Sequence, residues 1–256
     1  MFKKFFVIAI KPALVLFLLS FIFFGQQALA QTMDSDNDGL TDDQEINIYH
    51  TDPFRSDTDK DSYFDKAELD KGFSPHRPGY KLSQLDWDKD GLSDELELKF
   101  GTDLKNSDSD ADGYTDGDEV KKGFNPKSSD KTKLFKKIEI NLAKQELNYY
   151  LGSVSLATFK VSSGKPGWDT PKGNFKIEIK TPLAWSKAAG LWMPYWMAFV
   201  PTGKFGLHEL PYWPNGYREG ENHLGMPASH GCVRLGIGFA KILYDWAEIG
   251  TPVMIY

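Results

Sequence analysis

The sequence predicts two folded domains: a small one assembled from repeated acidic loops, then a mainly β domain in which a mixed β-sheet sandwich carries a helix. Three observations predict this. One acidic spacing recurs four times between Asp34 and Glu119. Beyond about residue 134 the pattern changes to apolar residues alternating with polar ones, the period of half-buried strands. Charge divides at the same place, with roughly −15 on residues 31–126 and roughly +6 on residues 127–256 of a formal total of −6. A chain of 256 residues is long enough for two modest domains. The acidity of one half and the absence of a basic cluster of recognition type exclude a nucleic-acid partner.

At the N-terminus, Lys3, Lys4 and Lys11 surround the start of an apolar run from Ala13 to Phe24, and Ala28 and Ala30 form an A-x-A cleavage site. Residues 1–30 therefore read as a signal peptide. The expected product is exported, to the periplasm or cell envelope of a bacterium, with no transmembrane segment after cleavage; an uncleaved anchor is the alternative, against which the shortness of the run argues. The chain holds one cysteine, Cys232, so no disulfide can form within it. An isolated thiol is either an inert buried filler or a group kept for its chemistry.

The first domain is assigned to residues 31–126. Its four loops are Asp34, Asp36, Asp38, Leu40, Asp42 and Glu45; Asp57, Asp59, Asp61, Tyr63, Asp65 and Glu68; Asp86, Asp88, Asp90, Leu92, Asp94 and Glu97; and Asp108, Asp110, Asp112, Tyr114, Asp116 and Glu119. In each, carboxylates stand at positions 1, 3, 5, 9 and 12, and a backbone carbonyl is offered at position 7. Such a set supplies the six to eight oxygens that Ca2+ prefers, and without a cation the crowded carboxylates repel one another. Structural Ca2+ is therefore the expected cofactor, providing much of the domain's folding energy. Ser62 holds the position at which the other loops carry Gly39, Gly91 and Gly113, so the second loop should bind most weakly. The loops pair into a duplication of about 51 residues, matching Gly72-Phe73-Ser74-Pro75 with Gly123-Phe124-Asn125-Pro126. The spacing leaves room for one short helix per loop, and the pattern resembles thrombospondin type 3 repeats, with dockerin modules the competing likeness.

A polar stretch at 127–133 reads as a linker. The second domain, 134–256, opens on the alternation of Ile138, Ile140 and Leu142 and closes on the helical spacing of Phe239, Ile242, Leu243 and Trp246, followed by a strand to Tyr256. Its most informative stretch is Ser229-His230-Gly231-Cys232-Val233-Arg234-Leu235, with His208 upstream. These residues, with Val161-Ser162-Ser163-Gly164, Asp169-Thr170-Pro171-Lys172-Gly173 and Gly250-Thr251-Pro252-Val253, resemble the L,D-transpeptidase (YkuD-like) catalytic domain over most of residues 134–256.

That resemblance implies a peptidoglycan L,D-transpeptidase. Cys232 would be the nucleophile and His208 the base, since a free thiol near pKa 8.5 needs one at neutral pH. Gly231 would turn the backbone and, with the Cys232 N–H, hold the oxyanion. His230 would shape the site and Ser229 would orient the loop. Arg234 would brace that loop or meet a substrate carboxylate. Catalysis would need no cofactor. The implied partners are peptidoglycan stem peptides, with a second stem or an envelope protein as acyl acceptor. An L,D-carboxypeptidase, a hydrolase of a peptidoglycan linkage, and a calcium-dependent wall-binding module with an inactive catalytic domain are the alternatives. A zinc peptidase is disfavoured, because the histidines lack a metal-ligand spacing. Two departures stand out: Glu209 follows His208 where family members commonly carry Gly, and Tyr212, Trp213 and Tyr217 crowd the lid. Trp185, Trp192, Tyr195 and Trp196 read as core, with stacking on a glycan or peptide as the second possibility.

Overall fold

The computed structural model describes residues 33–256; the expected signal peptide, residues 1–30, lies outside them. Among the described residues no helix is long and apolar enough to cross a membrane. The chain forms two compact units, one running to Lys89 with Ser93–Asn106, the other comprising Asp90–Leu92 and Ser107–Tyr256. The division passes through the third acidic loop and leaves the fourth in the same unit as the sheet.

In the first unit each acidic loop leads into a short helix that begins at its ninth position. These are α1 (Asp42–Gln44), widening into a π-type turn over Glu45–Tyr49, α2 (Asp65–Leu69) and α3 (Asp94–Phe100). Thr41 caps α1 in a reciprocal pair with Gln44, satisfying two otherwise orphaned amides. Gly101 ends α3 in the left-handed conformation. Leu40, Leu82 and Leu104 are buried, a thin core for so many residues.

The second unit opens with α4 (Asp116–Lys122), capped by Thr115 and ended by Gly123. The stretch 127–133 is a hydrogen-bonded turn: Phe124 bridges Lys133, Asn125 N–H donates to the Thr132 carbonyl, and Leu134 N–H donates to the Gly123 carbonyl. The nine strands are β1 (Lys136–Asn141), β2 (Glu146–Leu151), β3 (Val154–Ser162), β4 (Gly173–Lys176), β5 (Ile179–Ser186), β6 (Leu191–Ala198), β7 (Gly206–Glu209), β8 (Val233–Leu235) and β9 (Pro252–Ile255). They form one continuous mixed sheet in the order β4-β9-β1-β2-β3-β8-β7-β6-β5. Most pairs are antiparallel; β1–β9 and β7–β8 are parallel.

The nine-residue strand β3 makes the sheet curl. Its first part pairs with β2, and Val161 and Ser162 at its end pair with Leu235 and Arg234 of β8. The two halves thereby share one core, with Ile138, Ile140, Leu147 and Val253 from one side and Met197, Leu207, Val233 and Leu235 from the other. Helix α5 (Phe239–Trp246) closes it with Ala240, Leu243 and Trp246. The expected mainly β architecture is observed, and its sandwich is a single folded sheet.

Candidate active site

β7 and β8 lie parallel at the middle of the sheet, in the register Leu207↔Val233 and His208↔Arg234. Continued by one residue, that register sets Cys232 opposite Gly206, whose amide donates to the Cys232 sulfur. Side chains alternate along a strand and partner residues share a face. Leu207 and Val233 therefore point into the core, and His208, Arg234 and Cys232 project from the other face. Two rows result. One runs Trp196–His208–Arg234 across β6, β7 and β8, and the next runs Ala198–Gly206–Cys232. Cys232 packs against Leu191, Met193, Trp196 and Ala198, and Gly206 cannot be enlarged: a Cβ there would lie 2.8 Å from the Met197 carbonyl and from the Trp196 ring.

The turn carrying Cys232 is held by short bonds. Ser229, fully buried, donates its hydroxyl to the Cys232 carbonyl at 2.5 Å and accepts the Gly231 amide at 3.0 Å. The expectation that the Gly231 N–H faces an oxyanion is therefore corrected, because that donor is occupied by Ser229. Gly231 has φ 106, and a Cβ there would meet Phe205 Cε1 at 2.4 Å, so only glycine fits. His230 is exposed, edge-on to Trp168 at 4.7 Å between centroids. Thr170, which sequence reasoning left inside a supporting motif, is buried and ties two loops together. It accepts the Gly164 amide at 2.9 Å and donates to the Gly231 carbonyl at 3.0 Å.

His208 is buried, 5.8 Å from the Trp196 ring centre. Its Nδ1 lies 2.6 Å from the Glu209 carbonyl. A carbonyl only accepts, so Nδ1 carries the proton and Nε2 keeps its lone pair. Burial drives the His208 pKa down to about 3; the carbonyl bond opposes this and the Arg234 cation reinforces it. Burial also raises the Cys232 thiol, against the Gly206 amide and the Arg234 charge, which both favour the thiolate. Burial thus favours the neutral form of both the thiol and the imidazole.

Arg234 is nearly buried, and its Nη1 donates to Glu219 Oε1 at 2.7 Å and to the Ala228 carbonyl at 3.4 Å. His223, outside the motif, contacts the same Glu219 oxygen through Nδ1 at 2.5 Å. Glu209 is also buried, held by Arg218 at 2.6 Å and by the Gly238 amide at 2.8 Å. The aromatic group divides: Trp196 is core, and Trp185 is surface, paired with Trp192 at 4.8 Å.

Away from this site, the ligand atoms of Asp34, Asp36 and Asp38, of Asp57, Asp59 and Asp61, and of Asp108, Asp110 and Asp112 each gather within 4.8 Å. Glu45, Glu68 and Glu119, at position 12, are buried with one carboxylate oxygen each lacking a hydrogen-bond partner. Burial and neighbouring carboxylates raise them to about 7, 8 and 7 respectively. Converging aspartate oxygens, with one glutamate oxygen in each of these loops lacking a hydrogen-bond partner, fit a hard divalent cation. Position 9 serves differently. Both oxygens of Asp42, Asp65 and Asp116 are engaged by the second residue of their own loop, as in Thr58 Oγ1 to Asp65 Oδ2 at 2.7 Å. Tyr63 and Tyr114 are exposed where Leu40 and Leu92 are buried. Ser62 does adopt the left-handed backbone, φ 81, beside φ 100, 95 and 91 at Gly39, Gly91 and Gly113.

A curled mixed sheet thus carries an imidazole on β7 and a thiol directly before its parallel neighbour β8. Residues 136–255 match the L,D-transpeptidase catalytic domain family, YkuD, and residues 34–56, 86–103 and 108–129 match the bacterial TSP3 repeat. The C-terminal half is thus similar to the L,D-transpeptidase catalytic domain, and the stretch before it to TSP3 repeats. A similar protein is "Putative L,D-transpeptidase YciB" of Bacillus subtilis (strain 168), 31% identical over 125 residues, 46% of this chain and 64% of that one. The chain therefore spans somewhat under two thirds of that relative's length. Among solved structures, an L,D-transpeptidase (Yku) from Stackebrandtia nassauensis is 28% identical, with TM-score 0.40, covering 56% of this chain and 67% of that one. An L,D-transpeptidase from Mycobacterium smegmatis is 21% identical, with TM-score 0.41, covering 49% and 60%.

Proposed function

We propose that this protein is a peptidoglycan L,D-transpeptidase in which Cys232 is acylated by a tetrapeptide stem and then deacylated by an amine. The observation that carries this is the placement of a neutral imidazole, with Nε2 free, on the same face of the sheet as the thiol and one strand away. When a stem peptide enters, Nε2 takes the thiol proton as sulfur attacks the carbonyl that follows the third residue. The Cys232 amide receives the oxyanion, the Gly231 amide being engaged. Collapse expels the terminal D-alanine, protonated by His208, and leaves a thioester. An incoming amine loses its proton to His208 and replaces the sulfur. That amine belongs to a second stem, giving a 3-3 crosslink, or to an envelope protein.

Ca2+ at the acidic loops would supply structure and not chemistry, with Asp34, Asp36 and Asp38 and their counterparts as ligands, joined by the carbonyls of Leu40, Tyr63, Leu92 and Tyr114 and the position-12 glutamates. The exported location rests on residues 1–30 and on the substrate. Water in place of the amine makes the same residues an L,D-carboxypeptidase. The test is mass spectrometry of the protein and its Cys232→Ala variant after incubation with disaccharide-tetrapeptide in calcium buffer. Crosslinked dimers lacking one D-alanine, absent with Cys232→Ala, are expected. Tripeptide alone establishes the carboxypeptidase, and unchanged substrate with both proteins refutes acyl transfer from a tetrapeptide.

A further inference from the structure

Glu209, the departure from the usual glycine after the base, has a partner in the segment that follows β7. That segment is extended at Arg218, which bridges Tyr212, and Glu219 N–H donates to the Pro211 carbonyl. Neighbouring residues of an extended chain point opposite ways. Arg218 reaches Glu209 Oε1 at 2.6 Å, and Glu219 reaches Arg234 Nη1 at 2.7 Å. By strand alternation Glu209 and Arg234 belong to opposite faces of the β7–β8 pair, so the dipeptide grips the end of that pair from both sides, with charges of opposite sense on each side.

Each grip touches one half of the chemistry. Glu209 is the residue whose carbonyl fixes the His208 tautomer, and its carboxylate is anchored at both oxygens, by Arg218 and by the Gly238 amide. Arg234 stands beside His208 in the row next to Cys232, a buried cation acting on both. We propose that Arg218 and Glu219 are positioning residues of the active site, a two-faced ionic clasp in which Arg218 fixes Glu209 and so aims His208, and Glu219 fixes and offsets the Arg234 cation beside Cys232. His223 completes the clasp by holding the same Glu219 oxygen. Buried charges so placed are costly unless paired.

The inference rests on the assignment of Cys232 and His208 as the reacting pair, but its main readout is independent of substrate. The ionisable groups on this face are His208 from β7 and Arg234 from β8, with Glu219 bonded to Arg234 and His223 bonded to Glu219, and Asp169 and His230 exposed on the loops nearby. The rate of Cys232 alkylation by iodoacetamide is measured against pH for the full chain, with circular dichroism showing that each variant is folded. Glu219→Gln keeps an acceptor for Arg234 and removes the opposing charge. Its profile moves to lower pH by at least about half a unit, because the uncompensated guanidinium favours the thiolate. The double variant Glu219→Gln with Arg234→Gln moves it back to the wild-type position or above. Arg218→Gln lowers kcat about tenfold with KM within about threefold and leaves the alkylation profile in place. A folded Glu219→Gln whose profile is unmoved or moves upward overturns the charge role, and a folded Arg218→Gln with kcat within about twofold of wild type overturns the aiming role. Retention of crosslinking by Cys232→Ala would instead refute the proposed reaction and leave the alkylation result standing by itself.

Discussion

Burial decides the protonation of both His208 and Cys232. His208 lacks the solvation that an imidazolium needs, so its folded pKa lies near 3 against 6.5 in the open chain. The sign of the stability effect follows. Below about pH 6.5 the unfolded chain takes up a proton that the folded one refuses, so stability present above that pH is lost as pH falls toward the folded value. Urea unfolding at pH 7 and pH 4.5 should show a loss that is smaller in His208→Gln; an equal loss in the two proteins would contradict a buried neutral imidazole. Gly231 gives a second prediction at this scale. With φ 106 and a would-be Cβ 2.4 Å from Phe205, Gly231→Ala should cost about 2–4 kcal/mol in the same assay and slow acylation.

Elements explain what was legible in the sequence and what was not. The Ser229–Arg234 run was readable because its parts are contiguous: a glycine that must turn, a hydroxyl that holds the turn, and the thiol it presents. The strand around Ile138 showed its two-residue period, and the four loops their repeated spacing. Thr170 and Glu219 were not readable. Their partners lie 61 and 15 residues away, and a threonine after an aspartate or a glutamate in a polar stretch carries no local mark. Arg234 was read as a loop brace, and its bond to the Ala228 carbonyl fits that, but its main partner is a carboxylate. Position 9 of the loops was read as a ligand from the template, and in three of them folding turns that aspartate inward to close the loop. At the same scale, Ser62→Gly should stabilise the second loop by about 1 kcal/mol, since a side chain at φ 81 is strained. Calorimetric titration with Ca2+ should show one site tightened; no change would mean that the turn is not limiting there.

At the scale of the whole molecule, the boundary that composition placed near residue 130 does not coincide with the division of packing at Asn106–Ser107. Helix α4 ends at Gly123, whose carbonyl accepts from Leu134 directly before β1, and Lys136 at the start of β1 donates to the Trp246 carbonyl of α5. The fourth loop thus belongs to the sheet-bearing unit, and the first belongs to the other. Chelation should therefore lower the thermal midpoint of the sheet-bearing unit, and Asp108→Asn with Asp110→Asn should reproduce that loss where Asp34→Asn with Asp36→Asn does not. Equal effects from the two pairs, followed by the near-ultraviolet signal of the catalytic unit, would contradict the coupling.

The neutral resting thiol also governs what the protein does with reagents other than its substrate. Peroxides and small disulfides react with thiolates, and a sulfur kept protonated by its surroundings offers them little. Cys232 has no second cysteine in the chain to reduce it after damage, so oxidation there would be hard to reverse from within. The burial that holds Cys232 as a neutral thiol therefore also shields it from oxidants.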